Sequence, residues 1–256
     1  MRRRFQHQLH KALVDANLQA ALDANAERRL SARQAAINSL TEELPALRRR
    51  LHELRRATIA GLDGYLEQFV VRAQANGMVV HIAENASQAV AAILEIARQH
   101  GARTIVKSKT MLGEEIELNP ALEAEGLQVI ETDLGEYIVQ LRGEPPAHII
   151  TPAVHLRRED VARLFADRLG MPYTTDIPAM TALARQTLRQ AFLNADIGIS
   201  GVNMAVAETG TLCILTNEGN GRMVTTLPPI HIALMGMERL VPRLDDLASV
   251  LELLPR

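Results

Sequence analysis

Residues 104–133 read TIVKSKTMLGEEIELNPALEAEGLQVIETD, and this stretch decides the fold. The run Thr104–Val106 is short and β-branched, and it empties into Lys107-Ser108-Lys109. A helical segment, 112–125, follows with Gly126 as its stop, and a second apolar run, Gln128–Ile130, ends on Glu131-Thr132-Asp133. Strand, helix and strand within thirty residues form a βαβ unit, which needs a parallel sheet.

The alternation continues on both sides. Met78–Ala83 and His148–Thr151 read as further short buried strands. Helical segments occupy 87–100, with Ser87 as cap and Gly101 as stop, then 134–141, and 158–169 up to Gly170. Asp176 caps a helix that carries Pro178 in its first turn and runs to about Asn194. Beyond it Asp196–Ser200, Asn203–Glu208, Leu212–Thr216 and His231–Met235 read as strands. Thr209-Gly210 marks a tight hairpin, and Gly219-Asn220-Gly221 a loop that needs positive φ. Leu244–Leu254 closes the pattern as a short amphipathic helix.

The first part of the chain differs. From Phe5 to Asn76 everything reads helical: Phe5, Leu9, Leu13 and Ala16 recur at helical spacing. Thr41 caps a second helix, with Glu42 and Glu43 in its first turn and Arg48, Arg49 and Arg50 further along. A third carries Leu62, Tyr65, Leu66, Phe69, Val70 and Ala73, and Gly77 ends it. The expected division is a helical arm over 1–76, peripheral to an α/β domain over 77–256.

The chain has 256 residues, 47% hydrophobic and 23% charged, the composition of a globular protein rather than a disordered one. A single cysteine, Cys213, excludes a disulfide framework and cannot alone hold a zinc or an iron–sulfur cluster. No apolar stretch is long enough to span a membrane. The start, Met1-Arg2-Arg3-Arg4-Phe5, is basic, but no apolar run of a secretory signal follows it, and the expected compartment is the cytoplasm. Residues 1–56 hold 12 basic and 6 acidic residues, against 16 and 24 in the rest. Acids interleave in that basic arm, Trp is absent and aromatics are 3%, so nucleic acid is not the expected partner. A solvated arm that packs on a partner or on the body is the expectation.

Four segments carry candidate chemistry. Of 28 basic residues only three are Lys, and Lys107 and Lys109 flank Ser108 just beyond a strand end, where doubly wound sheets bind ligands. Two ammonium groups and a hydroxyl suit a carboxylate or phosphate. Glu131, beyond the next strand, can orient the lysines or act in acid–base work, while Asp133 and Glu136 fit a helix cap equally well. Glu208, flanked by Ala207 and Thr209-Gly210-Thr211 after Asn203-Met204-Ala205-Val206, is expected to be partly desolvated, which would raise its pKa and make it a base or nucleophile. A turn-forming Glu is the competing reading. Asn217-Glu218-Gly219-Asn220-Gly221-Arg222 offers backbone N–H groups and a guanidinium as an anion cradle. Lys107, Lys109, Glu131, Glu208 and Arg222 are expected to converge on one net-positive cleft, with Lys107 and Arg222 holding a small anion. The eight histidines show no metal-binding spacing, and His148 and His231 read as core or strand-end residues.

Together these segments resemble a known family. Lys107-Ser108-Lys109-Thr110-Met111, Glu114-Glu115-Ile116, and Glu131-Thr132-Asp133-Leu134-Gly135-Glu136-Tyr137-Ile138 look like lactate utilization protein B. So do Ala195-Asp196-Ile197-Gly198, Ala207-Glu208-Thr209-Gly210-Thr211, Thr216-Asn217-Glu218-Gly219-Asn220, Val224-Thr225-Thr226-Leu227-Pro228 and Met235-Gly236-Met237-Glu238-Arg239. The resemblance covers nearly the whole chain and names a LUD domain. It implies an α/β parallel-sheet fold similar to the glucosamine-phosphate isomerase, ribose-phosphate isomerase and CoA-transferase group. It also implies a part in oxidising L-lactate to pyruvate with two other lactate-utilization proteins. Longer family members carry two [4Fe–4S] centres in a ferredoxin-like domain, and this chain, with Cys213 alone, has no cofactor expected within it. The site residues expected are Glu208 as base, and Lys107, Ser108, Lys109, Glu131, Asn203, Thr209, Asn217, Gly219, Asn220 and Arg222 around the substrate. Three readings stay open: a substrate- or partner-binding portion of a lactate-oxidising complex, a non-catalytic assembly module of it, and a transferase or isomerase on a CoA ester or sugar phosphate; a homo-oligomer is compatible with each, and the sequence leaves the oligomeric state open.

Overall fold

The computed structural model describes residues 2–148, 151–216 and 218–256. Its residues divide into two compact units. Met1–Leu40 and Leu134–Gln186 make a helical unit; Thr41–Asp133 and Thr187–Arg256 make a sheet unit.

The helical unit holds α1 (Arg2–Val14), α2 (Ala16–Asn38), α8 (Leu134–Arg142), α9 (Arg158–Leu169) and the first half of α10 (Ile177–Asn194). Ile138, Ala162, Leu164, Phe165, Met180 and Ala184 form its core. The strand expected over His148–Thr151 has its centre, 149–150, outside the described residues. Thr151 instead donates its backbone N–H to His148 Nδ1 at 3.3 Å, a local turn.

The sheet unit contains the βαβ stretch. A four-stranded parallel sheet runs in the order β2 (Gln128–Glu131), β1 (Thr104–Lys107), β3 (Ile197–Gly201) and β6 (Ile230–Leu234). α5 (Ala86–Gln99) and α7 (Leu118–Ala124) cover one face, where Ile93, Ala97, Leu118 and Leu122 pack on Ile105, Val129, Ile197 and Ile199. The other face receives α11 (Asn220–Thr226). Its approach depends on Gly198, since a Cβ there would strike the Val224 carbonyl. A second, three-stranded sheet orders β5 (Thr211–Cys213), β4 (Met204–Val206) and β7 (Leu240–Val241). α3 (Leu44–Ala60), α4 (Leu62–Ala75) and α12 (Leu244–Leu253) pack around it.

Several boundaries differ from the sequence reading. The helix expected over 112–125 is two pieces, α6 (Met111–Glu115) and α7, because Pro120 has no N–H and its ring would meet the carbonyl of Ile116 in a continuous helix. Glu117 takes the left-handed conformation at the break, with φ of 52°. Met78–Ala83 is not a strand. Met78 N–H returns to the Ala73 carbonyl at 3.0 Å to close α4, and Val79 stands 82% exposed. Asn85, not Ser87, caps α5 by accepting from Gln88 N–H. The helical stretch 1–76 divides at Leu40 between the two units, and its later part is core: Phe69 and Ala73 pack with Val202, Ala205 and Leu240.

Candidate functional site

β1 and β2 run parallel with Lys107 opposite Glu131, so both side chains leave the same face at the carboxyl edge. Lys107 is 1% exposed. Its ammonium donates to Glu131 Oε1 at 2.8 Å and to Glu114 Oε1, from α6, at 3.3 Å. Asn119, from α7, donates its amide to the same Glu131 oxygen at 2.7 Å. Burial works against the ammonium, but Glu131 and then Glu114 outweigh it, and the Lys107 pKa stands above its ordinary value. The ammonium is therefore neutralised by two carboxylates, where the sequence reading left it open to an anion. From sequence, Glu114 was noted only within a family motif, with no role at the site, and Asn119 was not noted. The usable signal was Glu114 seven residues after Lys107, on the first turns of a helix that folds back over the strand end.

Alternation along the strands places the next residues on the opposite face. Ser108 and Thr132 extend the ladder by one step each: Ser108 N–H donates to the Ile199 carbonyl and Thr132 N–H to the Lys107 carbonyl, both at 2.9 Å. Ser200 on β3 stands in the register that continues from Lys107–Ile199. Ser108, Thr132 and Ser200 are all buried, so three hydroxyls cross the carboxyl edge of the sheet on one face. The Thr132 hydroxyl donates to the Lys107 carbonyl at 2.9 Å and accepts from the Asn220 amide at 3.3 Å. Thr216 in turn donates to Asn220 Oδ1 at 3.4 Å. Ser200 Oγ and His231 Nε2 are 2.8 Å apart, and burial pushes the imidazole pKa down, so the ring is held neutral. Thr132, Ser200 and Thr216 were given no site role from sequence, because hydroxyls scattered through apolar runs carry no spacing signal.

The remaining expected residues sit elsewhere. Lys109 follows in the turn before α6, half-buried. Gly219 has φ of 81° ahead of α11, as its loop requires, and Asn217 lies outside the described residues. Arg222 is exposed on α11 and lines a depression with Ile214, Leu215, Thr216, Gly221 and Thr225. Glu208 belongs to the second sheet's hairpin and is exposed, so the burial expected around it is absent. Its Oε2 accepts from Leu244 N–H at 3.4 Å and its backbone N–H donates to the Pro242 carbonyl, which ties the hairpin to the start of α12. Asn203 accepts from Leu215 N–H at 2.8 Å, and the Thr209 hydroxyl donates to Thr211 Oγ1 at 2.8 Å. Gly210, at φ of 69°, lets this turn touch α4, since a Cβ there would lie 2.5 Å from Ala73 N. The single cleft thus resolves into an ion cluster, a hydroxyl row and a hairpin joint.

The LUD domain family model matches residues 66–256. The chain belongs to the LUD domain family. Within it, the chain is 41% identical over 98% of its length to lactate utilization protein B of Bacillus pumilus, covering 53% of that protein. It is 45% identical over 80% of its length to lactate utilization protein B of Macrococcus caseolyticus, covering 43%. The uncharacterized electron transport protein YkgF of Escherichia coli is 41% identical over 98% of the chain and is covered to 53%. The LUD chain thus spans about half the length of the curated relatives it matches. No solved structure matches it. Among the described residues of this LUD domain, no helix is long and apolar enough to cross a membrane, and no group of three or more His, Cys, Asp or Glu is placed to hold a metal. Cys213 is half-buried, its thiol pushed up by burial, and one thiol does not supply the four thiolates of an iron–sulfur cluster.

Proposed function

We propose that this LUD domain serves lactate utilization, as the portion of a lactate-oxidising assembly that binds the substrate or its protein partners. The carrying observation is the 41–45% identity to proteins named lactate utilization protein B across 80–98% of the chain. The assembly works in the cytoplasm with two other lactate-utilization proteins, and the electrons leave L-lactate through iron–sulfur centres held outside these 256 residues. In this reading the carboxyl edge of the parallel sheet is the working face, as in other open α/β sheets. The test is a chimera in which this chain replaces the matching half of the Bacillus pumilus protein in a strain lacking its own. Growth on L-lactate supports the reading; a chimera that accumulates in folded form without restoring growth overturns it.

A second reading has its own support. Lys107 is engaged by Glu131 and Glu114, and Glu208 by the start of α12, so the two most chemically loaded motifs act as internal ties. That favours a non-catalytic assembly module. Charge reversal at Arg48, Arg49 and Arg50 separates this module from a substrate-binding role, since loss of assembly with ligand binding intact favours the module.

A further inference from the structure

We propose that the depression beside Arg222 is a binding site for a short-chain monocarboxylate carrying a hydroxyl group next to its carboxylate. The choice of ligand rests on the lactate-utilization reading; the site rests on geometry. The depression is open to solvent and has a volume of about 220 Å³, the scale of a small ligand.

Each wall supplies one element of such a ligand. Arg222 is exposed, and among the described residues its guanidinium has no carboxylate partner, so its planar fork is available to a carboxylate. The turn that carries it is braced from within, because the Thr225 and Thr226 hydroxyls both donate to the Arg222 carbonyl, the first at 3.1 Å. Ile214 and Leu215 form an apolar wall, and Leu215 stands 48% exposed with no core to fill. A short aliphatic tail covers that surface. The Thr216 hydroxyl spends its proton on Asn220 Oδ1, which leaves its oxygen to accept from a ligand hydroxyl. Gly221 keeps the floor low, since a Cβ there would stand 3.2 Å from Thr216 Cβ. Behind Thr216 the hydrogen bonds continue through Asn220 and Thr132 to the Lys107 carbonyl, so an occupant of the depression is joined to the carboxyl edge of the sheet.

The test is calorimetric titration of the purified chain with L-lactate, pyruvate, propionate and inorganic phosphate. L-lactate is expected to bind more tightly than either pyruvate or propionate by roughly fivefold, one neutral hydrogen bond. Arg222→Ala is expected to weaken every carboxylate by roughly ten- to a hundredfold with an unchanged melting curve, as for a lost charge-assisted bond at an exposed position. Thr216→Val is expected to erase the preference for lactate over propionate while leaving propionate untouched. Absence of carboxylate binding, equal binding by Arg222→Ala, or tighter binding of phosphate than of any carboxylate overturns the site. If the carboxylates bind as stated but the chimera fails on L-lactate, the proposed function falls and the site stands. If the chimera grows as well with Arg222→Ala as without it, the site falls and the function stands.

Discussion

Lys107 shows what a buried charge demands of its neighbours. An ammonium withdrawn from water is held only when carboxylates and hydrogen bonds replace its hydration, and Glu131, Glu114 and Asn119 do so from three elements. Lys107→Met should leave the Glu131 carboxylate buried without its ammonium and cost about 3–5 kcal/mol, read by urea denaturation. A loss below about 1 kcal/mol would contradict the burial of the pair. The folded-state pKa of Lys107 lies above its ordinary 10.5, so its stabilisation is fully present below that value and is lost as pH rises beyond it. Wild-type stability should therefore decline above pH 10.5, and Lys107→Met should lack that component. Glu144 gives the opposite sign. Arg142 first and His155 after it hold its carboxyl at about 2, against an ordinary 4.5, so the contribution is present above 4.5 and fades as pH falls toward 2. The carboxylate is more than a third exposed, and solvent screening limits its worth to a few tenths of a kcal/mol. Glu144→Gln should slightly flatten the acid limb of the stability curve measured by thermal melts.

At the scale of elements, what was legible from sequence is what depends on neighbours in the chain. The βαβ stretch, the stop at Gly170 and the hairpin at Gly210 all follow from local pattern and glycine geometry. What was not legible depends on docking. Met78–Ala83 has the composition of a strand, but pattern alone does not say whether a sheet edge is free to receive it. The sequence shows no helix at α11, and Asn220-Gly221 within it reads as loop, because its seven residues, with Gly, Asn and two Thr, form a helix only by packing on β3. That packing is testable. Gly198→Ala would force a methyl into the Val224 carbonyl and should lower stability by about 1–3 kcal/mol, the usual range for overpacking, seen as a drop in melting temperature. Asn85→Ala removes the side-chain acceptor from the Gln88 N–H and should cost about 1 kcal/mol in the same measurement.

For the whole molecule, the functional residues were harder to read than the fold. Their types were visible, but their partners were not: pairing Ser200 with His231, or Thr132 with Asn220, needs the crossing of elements far apart in sequence. The unit boundary has the same origin. Leu47 and Leu51 of α3 are buried in the sheet unit, although they lie within what reads as a continuous helical arm. Removing residues 1–40 should therefore leave the sheet unit's cooperative transition in calorimetry, whereas removing 1–56 should abolish or sharply lower it. The opposite order would place the boundary elsewhere.

The sheet unit is also discontinuous, interrupted by Leu134–Gln186. On the ribosome, β1 and β2 emerge early, yet β3, which pairs with the other side of β1, is not made until more than sixty residues later. Parallel pairing across such a gap is slow, and an open strand edge in a nascent chain invites association with other chains. A newly synthesised molecule therefore spends its most vulnerable interval with β1 half-paired, and holding chaperones would find their target at Thr104–Lys107 rather than at either terminus.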